Sequence, residues 1–369
     1  MDVAVVGGGI AGLTAALELV HRGHSVTVLE ARARFGGQIG TGHHHGFIVE
    51  RGAEGFAARS TAVAELCRRV GLGGELIGQT RHRALAWRDG ALVELEEGEA
   101  AALLGIPVEA ADLGRGLLTL PGGMGDLIAA LVQSLEGRAD LRTGARVRAL
   151  LHQPGEERAW RLDGAGGSGE TPLAVEGVIL AIPPRAARTL LTPALGSRSL
   201  PPKIRFGSTV AISLAYPRDA VTHSLDATGF VVDGPGQDGL RGGTFSSSKF
   251  PGRAPAGWCL LRVFLTPEPE LTVASADTWC ERAHRLLTPI LGLTERPRAG
   301  WVSRWRAALP RHAPDDAAAV ARWRRRLSRL GAIECAGAAL DGGGIDGAVR
   351  SGLTAAGRLA APARQTGEP

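Results

Sequence analysis

Short apolar runs alternate with longer amphipathic stretches along this 369-residue chain. The runs at residues 2–6 and 25–29 have the length and the β-branched content of buried strands. Residues 13–20, between them, are good helix formers, so the first thirty residues predict a strand, a helix and a second strand. Parallel strands need such a crossover helix, and the unit is therefore typical of the parallel sheet of an α/β protein.

The same patterns predict further elements. Apolar residues at three-four spacing predict helices, over residues 60–70, 124–135, 274–287 and 317–330, and a final helix that ends near Leu359. Apolar runs bounded by turn residues predict strands, at residues 142–151, 160–163, 175–182, 204–216, 258–265, 300–305 and 333–339. Asp89-Gly90 predicts a hairpin turn. Residues 96–116 carry no clear pattern, and we expect disorder after Pro362.

A glycine-rich turn joins the first strand to the first helix, with the sequence Gly7-Gly8-Gly9-Ile10-Ala11-Gly12. In this G-x-G-x-x-G pattern Gly7 permits the tight turn, Gly9 lets a pyrophosphate approach the backbone, and Gly12 lets the helix lie close to the sheet. The helix N-terminus offers unpaired N–H groups to phosphates. Glu30 ends the second strand, where its carboxylate can accept both ribose hydroxyls of an adenosine and argues against a 2′-phosphate. Together these features predict a dinucleotide-binding site.

Composition narrows the class of protein. Hydrophobic residues make up 44% of the chain, and its length fits two or three domains. No stretch of about 18 uncharged apolar residues occurs, and no basic leader precedes the first strand, so we expect neither a membrane span nor a signal peptide. The four cysteines are scattered without a C-x-x-C pair. They predict reduced, buried thiols of a cytoplasmic protein.

The net charge of +5 comes almost wholly from arginine, because Lys203 and Lys249 are the only lysines. A basic balance suits an anionic ligand or a membrane surface. Aromatic residues make up only 4% of the chain, and no module that interleaves them with basic residues supports nucleic-acid binding. The residues His43-His44-His45 alternate faces and cannot converge on one ion, so no metal site is expected.

Four stretches, in the right order, resemble the oxygen-dependent protoporphyrinogen oxidase and coproporphyrinogen III oxidase family of the flavin amine oxidase superfamily. They are the N-terminal unit through Gly55, L-P-G-G-M at 120–124, T-F-S-S-S-K-F-P-G-R-A-P at 244–255 and A-G-A-A-L-D-G-G-G-I at 336–345. The resemblance implies an α/β fold with a Rossmann-like FAD-binding domain and a second, mixed-sheet substrate domain. The first would consist of residues 1–75, 121–190 and 320–369, and the second of residues 76–120 and 191–319.

By this resemblance the cofactor is FAD, with its pyrophosphate on residues 7–12. The adenosine would lie on Glu30 and Ala31 with backbone contacts from Val147. A second phosphate-contacting loop would contain Arg34, Gly36 and Gly37. The ribityl chain and the flavin would lie beside Gln38, Gly52, Ala53, Glu54 and Gly55. The residues expected to close over the flavin are Ala338, Gly343, Gly344 and Ile345, where the last helix N-terminus can stabilise negative charge on the reduced ring.

The implied activity is the oxidation of a porphyrinogen in haem biosynthesis, with a tetrapyrrole as substrate and dioxygen as electron acceptor. Flavin N5 would accept hydride from a methylene bridge, and three cycles would aromatise the macrocycle. The cofactor carries this chemistry, so no catalytic residue is assigned. Because a porphyrinogen carries several carboxylates, we expect arginines at the pocket mouth. The candidates are Arg83, Arg253 and Arg304. Lys249 is expected to have a structural role at a strand end.

Two departures from the family pattern leave other functions open. The long helical insert before L-P-G-G-M is almost absent between Leu103 and Leu120, and Ala84 stands where the family often has a propionate-binding arginine. One alternative is an FAD-dependent amine oxidase or polyene desaturase. Another is a non-catalytic flavin- or porphyrin-binding protein. The oligomeric state, peripheral contact with the inner face of the membrane, and the choice between protoporphyrinogen IX and coproporphyrinogen III are left open by the sequence.

Overall fold

A computed structural model describes residues 1–103, 115–165, 172–195, 200–234, 236–267 and 274–361. The segment predicted to be disordered after Pro362 and most of the place of the shortened insert lie outside these residues. The helices are α1 (Ile10–His21), α2 (Thr61–Arg69), α3 (Glu99–Leu103), α4 (Gly125–Leu135), α5 (Pro184–Leu195), α6 (Ser246–Lys249), α7 (Ala276–Leu291), α8 (Asp316–Leu327), α9 (Ala338–Asp341) and α10 (Gly344–Leu359).

The strands fall into a parallel sheet, a mixed sheet and three smaller antiparallel groups. They are β1 (Asp2–Val6), β2 (Ser25–Leu29), β3 (Thr41–His44), β4 (Phe47–Glu50), β5 (Phe56–Ala57), β6 (Ile77–Gly78), β7 (Leu85–Arg88), β8 (Ala91–Glu94), β9 (Leu117–Thr119), β10 (Asp140–Arg142), β11 (Ala149–His152), β12 (Trp160–Asp163), β13 (Leu173–Val175), β14 (Gly177–Leu180), β15 (Arg205–Pro217), β16 (Gly229–Val232), β17 (Leu240–Thr244), β18 (Trp258–Leu265), β19 (Ala299–Arg311) and β20 (Ile333–Cys335).

The parallel sheet has the strand order β10-β2-β1-β14-β20 and draws on both ends and the middle of the chain. Alternate residues of β1 show its two covered faces. Val3 and Val5 pack against α1, α4 and α10, whereas Ala4 and Val6 pack against α5, α8 and the antiparallel sheet β11-β12-β13. Burial on both faces explains why these strands read as unbroken apolar runs. The predicted α/β fold class is confirmed.

The mixed sheet has the order β19-β15-β18-β17-β16-β7-β8, with antiparallel pairs except for the parallel pair β16–β7. One face packs on α7, where Trp279 and Leu287 meet Val210, Ile212 and Leu214. The other face lies against the loop that follows β4. The strands of this sheet come from residues 85–94 and 205–311. The domain boundaries given above stay a prediction.

Several predicted elements have different limits in the structure. The single strand predicted over residues 142–151 is interrupted, because its first residue ends β10, its last three lie in β11, and between them the chain leaves the sheet. There the N–H groups of Gly144 and Ala145 donate to the carbonyls of Arg32 and Glu30. Val147 therefore lies in a loop and not in a strand. Helix α7 continues four residues beyond its predicted end, through Pro289, and stops at Gly292 in the left-handed conformation.

Candidate active site

The glycine turn after β1 has the shape that the sequence predicts. Gly7 has a φ of +109°, and its N–H donates to the carbonyl of Leu29 over 2.8 Å. A Cβ at Gly12 would lie 1.9 Å from the carbonyl oxygen of Gly7, so only glycine permits this contact between helix and turn. Helix α1 begins after Gly9 without a side-chain cap and without an acidic residue in its first turn. Its first N–H groups are therefore available to an anion.

A second glycine loop lies beside this turn. The N–H of Gly36 donates to the carbonyl of Gly8 over 2.7 Å, and Gly36 and Gly37 both have positive φ. A Cβ placed on Gly9 would meet only the Cα of Gly37, at 3.8 Å. The two loops thus form a cradle with backbone walls and free space above Gly9. This shape fits a pyrophosphate.

Arg34 supports the second loop from within. Its Nη1 donates to the carbonyls of Phe35 and Ile39, and its Nη2 to that of Gly37, over 2.9–3.1 Å. Burial lowers the pKa of this guanidinium, with the nearby Arg51 and Arg32 adding to the effect. Arg34 therefore holds the loop in shape through hydrogen bonds to the loop's own backbone.

Glu30 lies at the end of β2 and is 8% exposed. Its Oε2 accepts from the N–H of Gly8 over 2.9 Å, and its Oε1 from the N–H of Arg32 over 2.8 Å. Each carboxylate oxygen keeps a further acceptor site for a ribose hydroxyl. The exposed Ala31 follows, and the loop with Val147 is tied to the carbonyl of Glu30 through Ala145. This arrangement fits an adenosine.

The C-terminal glycines form a second open surface at the same edge of the parallel sheet. Helix α10 begins after Gly343 without a side-chain cap, and a Cβ at Gly343 or Gly344 would meet nothing within 4 Å. Ile345 is buried beneath them, and Ala338 opens the short helix α9. Because α1 and α10 both follow parallel strands, both helices begin at the carboxyl edge, where dinucleotides bind in such sheets.

The loop at residues 52–55 is attached to the mixed sheet by a charged cluster, here called the Glu54 cluster and made of Glu54, Lys249 and Arg262. Nζ of Lys249 lies 2.5 Å from Oε1 of Glu54, and Nη2 of Arg262 donates to the carbonyl of Gly52 over 2.6 Å. All three side chains are nearly buried. Burial alone would raise the pKa of Glu54, but the positive charges of Lys249 and Arg262 outweigh it and lower that pKa.

The loop at residues 52–55 packs too closely on its neighbours to accept a side chain at either of its glycines. A Cβ at Gly52 would lie 1.8 Å from the carbonyl of Gln38, and one at Gly55 would lie 2.6 Å from the carbonyl of Leu118. The half-buried Ala53 packs against the core beside α1. The sequence predicts Lys249 at a strand end. The structure instead places it in the one-turn helix α6.

Strand β19 meets the same loops through two side chains. Gln38 donates from Nε2 to the carbonyl of Ala308 over 3.0 Å, and Trp305 donates from Nε1 to the carbonyl of Arg51 over 2.7 Å. Between these contacts Ala307 has a φ of +45°, and its N–H donates to Oγ of Ser208. This irregular segment lies next to the proposed flavin loop, where bulges often redirect strands beside active sites.

Two of the three arginines expected at the pocket mouth are held elsewhere. Arg253 is 1% exposed and donates to the carbonyls of Leu120 and Pro121 and to Oγ1 of Thr119. Burial lowers the pKa of its guanidinium. The prediction that it stands at a pocket mouth is wrong, because its donors serve the L-P-G-G-M turn. Arg304 lies opposite Val210, on the sheet face that packs on α7, and its Nη2 donates to the carbonyl of Ala274.

Arg83, the third candidate, is exposed and already paired. It lies 2.8 Å from Oε2 of Glu94 and 2.7 Å from Oδ2 of Asp226. The hydrogen bond to Glu94 and the charges of both acids raise the pKa of Arg83. A substrate carboxylate would have to displace one of these acids. The structure therefore does not bring the three predicted arginines together.

The sequence reasoning missed Arg262 and Trp305. A signal for Arg262 was present, since it is the single charge in the apolar strand W-C-L-L-R-V-F-L, and a buried charge requires a partner. For Trp305, no local pattern predicts its hydrogen bond to a loop 254 residues away in the chain. The three histidines lie on the β3–β4 hairpin, where His44 stacks on Trp301. In the described ranges no three His, Cys, Asp or Glu side chains form a metal-binding group.

Comparison with known proteins identifies the class. Residues 81–360 match the profile of flavin-containing amine oxidoreductases, and residues 5–70 match that of NAD(P)-binding Rossmann-like domains. The chain belongs to the flavin-containing amine oxidoreductase family. Together with the glycine cradle and Glu30, this membership makes FAD the cofactor.

Named relatives include coproporphyrinogen III oxidases. The enzyme of Propionibacterium freudenreichii subsp. freudenreichii is 33% identical over 198 residues, which are 53% of this chain and 35% of that protein. For the enzyme of Staphylococcus aureus the match spans 32% of its length, so the chain spans about a third of these relatives. The enzyme of Mycobacterium bovis is 27% identical over an alignment of 438 positions, which covers 94% of this chain and 94% of that protein.

Solved structures share the fold. A protein of Exiguobacterium sp. 255-15, named provisionally as a protoporphyrinogen oxidase, has a TM-score of 0.80 at 23% identity and covers 97% of this chain and 98% of that one. Putrescine oxidase bound to putrescine has a TM-score of 0.71 at 18% identity, with the same coverage. Among the residues described, no helix combines the length and the apolar character that crossing a membrane requires.

Proposed function

We propose that this protein is an FAD-dependent porphyrinogen oxidase, which converts coproporphyrinogen III or protoporphyrinogen IX to the porphyrin with dioxygen as electron acceptor. The observation that carries the proposal is the match to a coproporphyrinogen III oxidase along 94% of both chains. The segment of residues 244–255 supports it. This most family-specific stretch supplies Lys249 to the Glu54 cluster and so contacts the proposed flavin loop.

The residues have separable roles in this proposal. Bound FAD supplies the two-electron oxidation, which a porphyrinogen needs about three times to become aromatic. The glycine cradle and Glu30 hold the dinucleotide. With FAD bound, the positive N-terminal end of α10 would stabilise negative charge on the reduced flavin. The Glu54 cluster, Gln38 and Trp305 fix the mixed sheet against the flavin loop, which positions the substrate and keeps bulk water out.

Amine oxidation is the second candidate, because the matched family profile is that of amine oxidoreductases. A protein of Mycobacterium tuberculosis that is provisionally named as the flavin-containing monoamine oxidase AofH is 36% identical, though over only 91 residues. The two candidates share the cofactor site and differ in the substrate. A comparison of substrates on one enzyme preparation therefore separates them.

The test is aerobic turnover of the FAD-loaded protein with freshly reduced coproporphyrinogen III, protoporphyrinogen IX, putrescine and benzylamine. We expect porphyrin fluorescence to appear faster than by autoxidation, with about three molecules of peroxide per porphyrin. The same protein stripped of FAD is the matched control. Peroxide formed with an amine and with neither porphyrinogen would replace this proposal by amine oxidation.

A further inference from the structure

Two arginines stand directly opposite each other at the end of the ribbon formed by β15 and β19. Arg205 is the register partner of Arg311, and both side chains are exposed. Within the ranges that the structure describes, neither guanidinium has an acidic partner. Like charges that face each other across a sheet are destabilising. An anion bound between them would relieve this repulsion.

By the alternation of side chains along β15, Arg205 and Arg311 fall on the face that meets the FAD loops farther along the ribbon. The pairing of β15 with β19 shifts between Gly207 and Thr209, where β19 carries the extra residues, so the alternation is followed along β15. On that strand Arg205 shares a face with Ser213, the register partner of Arg262. Arg262 reaches the carbonyl of Gly52. The intervening residues Val210 and Ile212 point the other way, into the core beneath α7.

The space around Arg311 is shaped for its side chain. A Cβ at Gly207 would lie 3.1 Å from Nε of Arg311, so the guanidinium extends across this glycine of β15. Thr209 is the register partner of Trp305, which contacts the proposed flavin loop. Leu309, opposite Gly207, is 47% exposed. An open apolar surface therefore adjoins the two guanidinium groups.

We propose that Arg205 and Arg311 bind one propionate of the tetrapyrrole substrate, with Leu309 in contact with the macrocycle. This inference rests on the porphyrinogen oxidase function proposed above and names the substrate-anchoring residues of that site. Two guanidinium groups provide paired N–H donors in the geometry that a carboxylate accepts. The pair takes the place of Arg83, Arg253 and Arg304, whose donors are engaged elsewhere in the fold.

The test uses the FAD-loaded full chain and five variants: Arg205→Gln, Arg311→Gln, the double variant, Gly207→Leu and Arg322→Gln. We expect each single arginine variant to raise KM for coproporphyrinogen III about tenfold, with kcat changed less than about twofold, because the lost contacts anchor a group remote from the reacting carbon. Gly207→Leu should match Arg311→Gln, since it displaces that side chain and keeps its charge. Arg322 is an exposed arginine of α8, and Arg322→Gln should leave KM unchanged.

A binding measurement complements the kinetics. We expect the wild type to bind coproporphyrin III at least about tenfold more tightly than its tetramethyl ester, as judged by fluorescence quenching, and the double variant to lose this discrimination. A wild-type KM and retained discrimination in the double variant would overturn the arginine assignment and leave the oxidase function standing.

Two other outcomes are equally decisive. If the wild type oxidises no porphyrinogen, the oxidase function fails, and equal binding of coproporphyrin III by the wild type and the double variant then overturns the arginine assignment as well. If the double variant instead loses FAD while its remaining loaded fraction keeps a normal KM, the pair serves a cofactor phosphate, and the assignment is wrong.

Discussion

At the scale of single residues, the Glu54 cluster joins the mixed sheet to the loop at residues 52–55. Glu54 and Lys249 are separated by 195 positions in the chain, yet their charged atoms lie 2.5 Å apart in a nearly dry environment. The family resemblance predicts that Glu54 lies beside the flavin, and the sequence predicts a structural role for Lys249, but neither predicts that the two side chains pair. Long-range pairing of this kind depends on how the mixed sheet docks on the loop, and no local pattern encodes it.

The first prediction concerns this ion pair. Replacing Lys249 by Met removes the nearest positive charge from the buried carboxylate of Glu54 and leaves Arg262, 3.9 Å away, and the more distant Arg253. The free energy of unfolding should therefore fall by about 3–5 kcal/mol. The double variant Lys249→Met/Glu54→Gln should lose less than the sum of the two single losses. Urea unfolding of the FAD-free proteins measures both. Additive losses would show that the two side chains are not coupled.

The pH dependence of stability follows from the same pair. The folded-state pKa of Glu54 lies below its ordinary value of 4.5, so the folded state binds fewer protons there than the unfolded state does. The stabilisation is complete above about pH 4.5 and is lost as the pH falls through the folded-state value. Glu54→Gln should therefore reduce the acid-side slope of unfolding free energy by up to about 1.4 kcal/mol per pH unit. An unchanged slope between about pH 3 and 5 would contradict the lowered pKa.

At the scale of elements, local sequence patterns predict the helices and strands whose contacts lie close together in the chain. The unit β1-α1-β2 forms as expected, because the glycine turn and the apolar periods are both contained within thirty residues. The strand expected over residues 142–151 is interrupted between β10 and β11, since Gly144 and Ala145 bond to the backbone near Glu30. Strand β19 runs to Arg311, six residues beyond its predicted end, because β15 supplies a partner that the sequence of β19 does not reveal.

Gly9 and Gly12 of the glycine turn should respond differently to replacement by alanine. Gly9→Ala adds a methyl group to free space, so the FAD-free protein should keep its stability while FAD affinity falls at least about tenfold. Gly12→Ala forces the methyl group onto the carbonyl of Gly7 and should cost about 1–3 kcal/mol or more even without cofactor. Thermal unfolding and FAD titration distinguish the two effects. Full FAD affinity in Gly9→Ala would place the pyrophosphate elsewhere.

At the scale of the whole molecule, the chain's two ends build one site. The first turn and the C-terminal glycines both lie at the carboxyl edge of the parallel sheet. The mixed sheet contacts the neighbouring loop residues Gln38, Arg51 and Gly52 through the carbonyl of Ala308 and the side chains of Trp305 and Arg262. The family resemblance predicts this convergence and the cofactor, and the residues that contact FAD stay a prediction. The substrate side was anticipated less well, because the exposure and pairing of an arginine depend on residues distant in sequence.

Cofactor binding should therefore stabilise the whole protein. At about 100 times its dissociation constant, FAD should add about 2.7 kcal/mol to the unfolding free energy and raise Tm by several degrees. FMN lacks the adenosine that Glu30 and the glycine cradle are built to hold, and at the same concentration it should raise Tm much less. Differential scanning calorimetry of the FAD-free protein measures both. Equal shifts with FMN would argue against the adenosine site.

Anaerobic mixing of the FAD-loaded protein with coproporphyrinogen III or protoporphyrinogen IX measures most directly whether a porphyrinogen reduces the flavin. Putrescine serves as the control substrate. We predict that at least one porphyrinogen bleaches the flavin absorbance near 450 nm, that oxygen restores the colour, and that putrescine leaves the spectrum unchanged. A flavin that stays oxidised with both porphyrinogens, in protein shown to be fully loaded with FAD, would contradict the account.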